Sequence, residues 1–340
     1  MAQLQPRIIG TGWSLPKKKR LNDDPIFDWL RNQYPNQDLF TGYKVRHVLE
    51  PGEDLWRIML PAAKKALANA GKKEGDIDIL IGLASISPFI TPNALSQLHK
   101  ELGLPEHAWV IPVCDDFSNF ASSLLIADAL IRAGRAKNIL VCIGSNWTTN
   151  VDYHTTQSIS AADGAGAAVI SMSSDKSKWA VADHSTVTNS KNYGTMFSAG
   201  SKKMIANLNA NPPIYGSTEV HTQHSFTITP EGLIQFQKFG MEMALSAVTN
   251  LLKKNKITGA DITFMPHQTS ASLIDYWLKH LDPQPAQTLT TIKEVANITV
   301  ATHALNLAWF EEKGNILQNK LVMFSLGPDM HANALMLQRG

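Results

Sequence analysis

The chain has 340 residues, of which 44% are hydrophobic and 18% are charged, a composition typical of a globular protein with a large core. Its formal net charge of +2 gives no electrostatic reason to expect nucleic acid as a partner, and two cysteines do not make a disulfide framework. No apolar run reaches the roughly 20 residues of a membrane span, and residues 1–7 lack an apolar signal-peptide core, so we expect a cytoplasmic protein without a membrane anchor.

The first half of the chain alternates short apolar strands with helices. Such near-continuous apolar strands are typical of parallel sheets that helices cover on both faces, so the pattern predicts an α/β fold. We predict strands at 7–12, 77–84, 108–113, 138–144 and from 164, and helices at 55–70, 92–102 and from Phe117 to about 134.

The second half repeats this order of elements, which suggests two duplicated αβ halves, 1–172 and 173–340. The stretch 198–230 breaks the pattern because it is rich in Asn, Ser, Gly and Pro. We predict that it is a long excursion, a lid or a wall of the binding cleft. The predicted elements are strands from 179, at 261–264 and at 321–324, and helices at 234–255 and 270–281.

Three polar residues each lie at the mouth of a strand–helix unit. Cys114 follows an apolar strand and precedes a helix, whose N-terminal N–H groups favour the thiolate. His267 also lies between a strand and a helix, and Asn297 precedes another helix. Singly, these residues have ordinary explanations as a buried thiol, a structural histidine and a helix cap. Together they describe a thiol acyl-transfer site, and the other histidines show no metal-ligand spacing.

The order of these motifs resembles the β-ketoacyl-acyl-carrier-protein synthase III group of the thiolase superfamily. The resemblance runs from about residue 8 to residue 337, nearly the whole chain. Its motifs are weak singly but specific in this order. They are Gly10-Thr11-Gly12, Thr41-Gly42-Tyr43-Lys44-Val45-Arg46-His47, Cys114 with Phe117, Asp163-Gly164-Ala165-Gly166-Ala167, Pro266-His267-Gln268 and Asn297.

The resemblance implies a homodimer of five-layered αβαβα subunits with the thiolase fold. It also implies that Cys114 is loaded with an acyl group from acyl-CoA or acyl carrier protein, and that a malonyl thioester then loses carbon dioxide and attacks the acyl-enzyme. His267 and Asn297 would hydrogen-bond the malonyl thioester oxygen, and the backbone N–H groups of Cys114 and Gly327 would form the oxyanion hole. No metal or redox cofactor is implied.

Several positions depart from the family pattern around the nucleophile and the oxyanion loop. Asp115 and Asp116 replace small residues after Cys114; they either start the helix in solvent, or contact a basic substrate group or tune the thiol. A glycine triplet becomes Leu326-Gly327-Pro328.

Further departures concern the substrate-binding positions, for which the resemblance suggests Lys44, Arg46, Thr91, Phe117 and Ser272. Lys44 and Ser272 stand where arginines would hold a carrier protein or CoA phosphates. Thr91 aligns with a bulky aromatic residue that caps the acyl pocket from the dimer partner. The smaller side chain leaves room for a longer acyl group, which favours a specialised-metabolism enzyme that handles medium-chain or unusual acyl groups.

Three functional hypotheses follow. The first is a decarboxylating ketosynthase, which the joint presence of His267 and Asn297 favours. The second is an acyltransferase that forms an ester or amide on the same scaffold. The third is a non-catalytic partner subunit of a heterodimeric synthase, against which the intact set of Cys114, His267 and Asn297 argues. Release of carbon dioxide from a malonyl thioester separates the first two.

Overall fold

The computed structural model describes residues 4–89, 91–199 and 225–340. The first half contains a five-stranded sheet with helices on both faces, as the sequence predicts. The strands of this half are β1 (Gln5–Ser14), β2 (Lys19–Leu21), β3 (Val45–His47), β4 (Ile79–Ser85), β5 (Trp109–Pro112), β6 (Asn138–Ser145) and β7 (Gly164–Ser173). Strands β2 and β3 pair with each other and are not part of the five-stranded sheet. Its helices are α1 (Asp28–Gln33), α2 (Trp56–Ala70), α3 (Leu95–Leu102) and α4 (Asn119–Arg132).

The second half has the same kind of sheet and a small antiparallel two-stranded sheet, β9–β10, that precedes its helices. Its strands are β8 (Ala180–Thr188), β9 (Met196–Ala199), β10 (Ser225–Ile228), β11 (Thr263–Pro266), β12 (Gln287–Thr288), β13 (Lys320–Gly327) and β14 (His331–Gln338). Its helices are α5 (Pro230–Lys238), α6 (Ser246–Lys254), α7 (Ala271–His280), α8 (Ile292–Val295) and α9 (Thr302–Lys313).

The two large sheets share one topology. The first has the strand order β1-β7-β6-β4-β5 and the second β8-β14-β13-β11-β12. In each sheet, the strand that comes first in the chain lies at one edge, next to the strand that comes last in the chain. In both sheets the first two pairings are antiparallel and the last two are parallel. The predicted duplication is therefore confirmed. The predicted boundary at 172/173 falls near the end of β7 and stays a prediction.

The expectation of wholly parallel sheets is wrong, because both sheets are mixed. An apolar strand reports that both of its faces are buried, and it does not report the direction of its neighbours. Strand β7, for example, is buried over its first seven residues much as β4 and β6 are, yet it runs antiparallel to β6.

Five layers result from the way the helices cover the sheets. Helices α2 and α3 pack on the outer face of the first sheet, and α6 packs on β8 and β14 of the second. Helices α4 and α9 form the middle layer, where α9 packs on β7 and β1 and α4 contacts strands of both sheets. The middle layer matters for function, since Cys114 precedes α4 and Asn297 precedes α9.

A single long helix at 234–255 is not what forms. The segment divides into α5, a π-helical turn at Phe239–Met243, and α6. The π turn contains Gly240, a poor helix former, and the indole N–H of Trp277 donates to the Gly240 carbonyl at 2.8 Å. Since Trp277 is fully buried, this tertiary bond competes with regular α-helical pairing.

The predicted excursion at 198–230 lies mostly outside the described residues, which resume at 225. Its two flanks, β9 and β10, pair antiparallel. Among the helices that the structure describes, none is both long and apolar enough to cross a bilayer.

Candidate active site

The loop that carries Cys114 is held tightly at the end of β5. The Val113 N–H donates to the Gly82 carbonyl at 2.7 Å. Asn119 braces the loop from the first turn of α4: its side-chain oxygen accepts from the Phe117 N–H at 3.0 Å, and its amide donates to the Val113 carbonyl at 2.9 Å. Phe117 has a left-handed backbone (φ 70°), so the loop turns sharply and leaves Cys114 exposed.

The electrostatic environment of Cys114 differs from the simple expectation of a helix-stabilised thiolate. Helix α4 begins only at Asn119, and not at Phe117. Partial burial raises the pKa of the Cys114 thiol above its ordinary value, and the carboxylates of Asp116, Asp115 and Asp329 raise it further. The Asp116 backbone N–H, which hydrogen-bonds the thiolate, opposes them.

Gly327 meets this loop from the second half of the chain. It ends β13 and lies so close to the loop that a Cβ atom there would approach the Asp116 carbonyl oxygen to 2.3 Å. The contact therefore requires glycine. A second contact lies beside it, where the hydroxyls of Ser118 and Ser325 are 2.6 Å apart. The structure thus brings together the two loops expected to supply the oxyanion hole.

His267 follows β11 and lies against Phe117, in the loop that also carries Cys114. Its backbone N–H donates to the Phe324 carbonyl at 2.7 Å, and its ring stacks on Phe117 with centroids 5.2 Å apart. The side chain is fully buried, and both ring nitrogens have no hydrogen-bond partner among the described residues. Burial, with a small contribution from His303, lowers the pKa of His267 to about 3. The neutral ring therefore keeps one N–H available for a ligand.

Asn297 is fixed by several hydrogen bonds, and none of those in the described part of the chain uses its amide nitrogen. Its side-chain oxygen accepts from the Thr299 N–H at 2.9 Å. Its backbone N–H donates to the Ser160 carbonyl at 2.9 Å, and its own carbonyl accepts from the Trp147 indole at 2.8 Å. Trp147 therefore supports this loop.

Gln268 joins the loops of His267 and Asn297. This fully buried side chain donates from its amide to the Ala296 carbonyl at 2.8 Å. Its oxygen accepts from the Thr291 N–H and from the Asn306 amide at 2.9 Å. Sequence reasoning treats Gln268 only as part of a motif. Its position next to His267 indicates that Gln268 is near the site. Its role in joining the loops could not be predicted, because its hydrogen-bond partners are distant in sequence.

His303 is a second buried histidine that sequence reasoning missed. It lies on α9, with its ring centroid 6.2 Å from that of His267 and its Nε2 atom 3.1 Å from the Met265 carbonyl. Burial lowers the pKa of His303 to about 4, against the opposing effect of the carbonyls of Met265 and Phe324. The neutral ring of His303 therefore lies next to the ring of His267 in the buried interior.

These histidines predict that acidification destabilises the protein. Between an ordinary value of 6.5 and folded values of about 3 and 4, the unfolded chain binds protons at His267 and His303 that the folded chain does not. Stability is therefore complete above about pH 6.5 and falls as the pH drops. Asp163 opposes this, since burial raises its pKa from 3.8 to about 6.

The pKa values of Asp116 and Asp329 are also raised by burial, but the two histidines outweigh these carboxyls, so we expect a net loss on the order of 2 kcal/mol in unfolding free energy between pH 7 and pH 5. Urea unfolding at both pH values measures it. The variant His303→Gln should show a smaller loss than the wild-type protein. An equal loss in both proteins would contradict the linkage to His303.

The predicted substrate-binding residues separate into an exposed group and a buried one. Lys44 and Ser272 are exposed and lie in one region, because Gly42 packs against Ala271 and the Tyr43 hydroxyl donates to the Thr269 carbonyl at 2.6 Å. Thr91 is also exposed, on the loop after β4.

Arg46 departs from the expectation that it contacts substrate. Its side chain is fully buried, its Nε donates to the Ile159 carbonyl at 2.6 Å, and its guanidinium lies over the rings of Phe27, Phe40 and Tyr43. Burial lowers the pKa of Arg46 to about 10. We therefore assign it a structural role. Within the described part of the chain, no group of three or more His, Cys, Asp or Glu side chains could hold a metal ion.

Two family descriptions match the chain. Residues 115–190 match 3-oxoacyl-[acyl-carrier-protein] synthase III, and residues 252–338 match its C-terminal part. The first match begins directly after Cys114, and the second contains His267, Asn297 and Gly327. Relatives named β-ketoacyl-[acyl-carrier-protein] synthase III occur in Rickettsia massiliae (26% identical) and Rickettsia akari (25%), each with 94% of both chains covered.

Solved structures share the fold over the whole chain. The priming β-ketosynthase of the R1128 polyketide pathway superposes with a TM-score of 0.82 at 19% identity, covering 100% of this chain and 98% of the other. The synthase III of Aquifex aeolicus has a TM-score of 0.78 at 20% identity, covering 98% and 99%. OleA of Xanthomonas campestris, solved with lauric acid and lauroyl-CoA, has a TM-score of 0.82 at 16% identity, covering 99% and 100%. The predicted thiolase fold is confirmed.

Proposed function

Because this chain belongs to the β-ketoacyl-acyl-carrier-protein synthase III-like family of the thiolase superfamily, we propose that it joins an acyl group on Cys114 to a malonyl thioester with loss of carbon dioxide. One observation carries the proposal. The neutral ring of His267, buried without a hydrogen-bond partner among the described residues, stacks on Phe117 of the nucleophile loop, and the Asn297 loop is tied to it through Gln268.

The first half-reaction loads the enzyme. The Cys114 thiolate attacks the carbonyl carbon of an acyl thioester and forms a tetrahedral intermediate, whose oxygen accepts from the backbone N–H groups of Cys114 and Gly327. Collapse breaks the carbon–sulfur bond of the donor, and its thiol leaves with a proton. A preorganised N–H donor of this kind contributes roughly 3 kcal/mol to the rate.

The second half-reaction makes the new carbon–carbon bond. Carbon dioxide leaves the malonyl thioester, and the electron pair of the broken bond forms an enolate. Its oxygen accepts hydrogen bonds from the ring N–H of His267 and the amide of Asn297. The enolate carbon attacks the acyl carbonyl, Cys114 departs as thiolate, and a β-ketoacyl thioester results. An uncharged His267 suits this role, since the proton stays on the histidine throughout.

The substrates are acyl-CoA or acyl carrier protein thioesters, with a medium-chain or unusual acyl group of specialised metabolism. Lys44 and Ser272 share one exposed region, and their shorter or uncharged side chains weaken a phosphate grip that arginine would provide. The threonine at position 91 supports a long acyl chain. OleA, which has the same fold, was solved with lauroyl-CoA.

The acyl-chain preference should depend on Thr91. Replacing Thr91 by Phe should lower acylation by dodecanoyl-CoA relative to acetyl-CoA by roughly tenfold or more, because the ring fills space that the longer chain needs. The variant Thr91→Val, of nearly equal volume, is the matched control and should keep the wild-type ranking of chain lengths. A Thr91→Phe protein with the wild-type ranking would contradict this assignment.

Homodimer formation is part of the proposal. Strand β5 is the edge of the first sheet, and an edge strand offers unpaired N–H and C=O groups to another strand. Large apolar side chains are exposed on β5 and on the loop after β4: Trp109 is 62% exposed and Phe89 is 64% exposed. A two-fold pairing of β5 strands would cover both and bring the partner's loop with Thr91 to the site. Analytical ultracentrifugation tests this, and a monomer would refute it.

Intact-protein mass spectrometry tests the activity. We would incubate the protein with acyl-CoAs from acetyl to dodecanoyl, map the adduct by peptide analysis, and then add malonyl-CoA and follow carbon dioxide and product. The adduct should lie on Cys114 and disappear when malonyl-CoA is added. The matched control is Cys142→Ser, which should keep the adduct, since Cys142 is fully buried and burial raises its thiol pKa well above the ordinary value.

Each alternative has its own outcome in this experiment. An adduct that transfers to an alcohol or amine without release of carbon dioxide would identify an ester- or amide-forming acyltransferase. Absence of an adduct from both CoA and carrier-bound donors would identify a non-catalytic subunit. Adduct loss together with carbon dioxide release and a β-ketoacyl product supports the condensing enzyme.

A further inference from the structure

The backbone on both sides of Asn297 is held in conformations that its residues avoid. Ala296, directly before it, has φ 63° and ψ −142°, and Thr299, two residues after it, has φ 45°. A positive φ is unfavourable for any residue with a Cβ atom, and most of all for a β-branched residue such as threonine. A loop of this kind keeps its shape only where the surrounding contacts hold it.

Gln268 holds the loop at the first of these strained residues. Its side-chain amide donates to the Ala296 carbonyl at 2.8 Å, and its oxygen accepts from the Thr291 N–H at 2.6 Å. Thr291 and Ala296 flank the one-turn helix α8, so the Gln268 side chain spans both ends of the helix that leads into Asn297. A backbone donor at one end and a backbone acceptor at the other allow only one orientation of the amide.

The Gln268 side chain is itself fixed by further partners. Its oxygen also accepts from the Asn306 amide at 2.9 Å and from the Thr290 hydroxyl at 2.8 Å. The Thr291 hydroxyl donates to the Asn306 oxygen at 2.6 Å, which closes the network. Gln268, Thr291 and Asn306 are all fully buried. A buried and satisfied network of this kind is rigid, so Gln268 can resist the strain at Ala296.

The Asn297 side chain moves with its own loop. Its oxygen accepts from the Thr299 N–H at 2.9 Å, and the Thr299 hydroxyl is 2.8 Å from that of Ser145. With the oxygen used in this way, the amide group offers its NH₂ to a substrate. A change in the backbone angles of Ala296 would therefore turn the Asn297 amide away from the direction that it now has.

We propose that Gln268 is a positioning residue for the malonyl step: its bond to the Ala296 carbonyl holds the strained loop in the conformation that directs the Asn297 amide at the enolate oxygen. This role rests on the proposed function, in which Asn297 donates to that oxygen. Gln268 acts through Asn297 and has no part in the loading of Cys114. One half-reaction therefore depends on Gln268, and the other does not.

Gln268→Glu tests this role, because it keeps the size of the side chain and its acceptor oxygen and removes the donor to Ala296. The N–H and hydroxyl groups around that oxygen favour the ionised glutamate. We would measure the acylation of Cys114 at pH 8, and then the release of carbon dioxide from malonyl-CoA by the acylated enzyme. We expect carbon dioxide release to slow roughly 30- to 100-fold and acylation to change less than about threefold.

A double-mutant cycle identifies the residue through which Gln268 acts. On an Asn297→Ala background, Gln268→Glu should slow carbon dioxide release by less than about threefold, because the group that it positions is gone. A purely structural role of Gln268 would lower thermal stability and slow both half-reactions alike. It would also leave the effect of Gln268→Glu undiminished on the Asn297→Ala background.

Gln287 provides the matched control, because it makes the same kinds of hydrogen bond. Its amide donates to the Asn315 carbonyl at 2.7 Å, and its oxygen accepts from the Leu317 N–H and the Thr263 hydroxyl, both at 2.9 Å. It lies on β12, outside the site. Gln287→Glu should therefore lower stability and leave the ratio of the two half-reaction rates at its wild-type value.

Ala296→Gly tests the strain itself. Glycine adopts a positive φ without a Cβ clash, so this variant should unfold at a temperature roughly 1 to 3 °C above that of the wild-type protein. In the Gln268→Glu protein it should also restore carbon dioxide release by about threefold or more, since the loop needs less support. A lower unfolding temperature would refute the strain, and it decides alone should Gln268→Glu fail to fold by circular dichroism.

Hydrogen exchange followed by mass spectrometry needs no substrate. In Gln268→Glu, the amides of residues 296–301 should exchange at least about tenfold faster, while those of the Cys114 loop keep the wild-type rate. Unchanged exchange, equal slowing of both half-reactions, or a full effect on the Asn297→Ala background would each overturn the proposal. A wild-type protein that releases no carbon dioxide from malonyl-CoA would refute the proposed function, and the exchange experiment would then decide whether Gln268 holds the loop.

Discussion

Replacing Cys114 by alanine should abolish acyl-enzyme formation and reduce condensation by about four orders of magnitude or more, because no other thiol can attack the donor. Cys142, the second cysteine of the chain, is fully buried inside β6. The malonyl half-reaction uses different groups, so we expect measurable release of carbon dioxide from malonyl-CoA in the variant. Mass spectrometry of the protein and of the product, with carbon dioxide measured in parallel, checks both parts.

Cys114→Ser is the informative companion to this variant. It keeps the size of the side chain and replaces the thiol with a hydroxyl that does not ionise near neutral pH. Condensation should fall almost as far as in Cys114→Ala, while the fold and the malonyl reaction persist. Formation of a β-ketoacyl product by the alanine variant would show that Cys114 is not the acyl carrier.

Removing the donors of the malonyl step should lower condensation without preventing acylation. His267→Ala and Asn297→Ala should each reduce the rate roughly 100- to 1000-fold, since each removes one hydrogen bond to the developing enolate. The acyl adduct on Cys114 should form nearly as in the wild-type protein. Measuring the acyl adduct before malonyl-CoA is added, and the condensation product afterwards, separates the two steps.

The pH dependence of the same step provides a further check on His267. Because burial lowers its pKa to about 3, the malonyl step of the acylated enzyme should show no titration of this residue between pH 5 and pH 8. His267→Gln tests for loss of the N–H donor with less loss of volume. A variant lacking the His267 side chain that remains folded and condenses at the wild-type rate would contradict the assignment.

The elements that carry Cys114, His267 and Asn297 could be predicted because their signals are local. Each residue follows an apolar strand or precedes a helix, and the order of the motifs indicates the fold. The directions of the strands could not be predicted, since β7, which is antiparallel to β6, is as continuously buried over its first seven residues as the parallel strands β4 and β6. The π turn at Gly240 depends on Trp277, which is distant in sequence and supplies the competing hydrogen bond.

The residues that support the site were harder to predict for the same reason. Trp147 meets the Asn297 carbonyl only after the two halves have packed together, and His303 meets the Met265 carbonyl 38 residues away in sequence. Arg46 shows the opposite error. Its motif suggests a substrate contact, but cation–π packing among buried aromatic rings accounts for the residue.

The repeated topology places the candidate site between two copies of one structural unit. In each half, the segment after the third strand, β5 or β12, leads to a helix of the middle layer, and these segments contain Cys114 and Asn297 respectively. In the proposed reaction, the first copy would carry the acyl group, and the second would generate the carbanion and supply Gly327 across the interface. A change in one copy can therefore alter which acyl group is accepted while the extender chemistry of the other is preserved. The range of accepted acyl groups can therefore diverge while the bond-forming reaction stays the same.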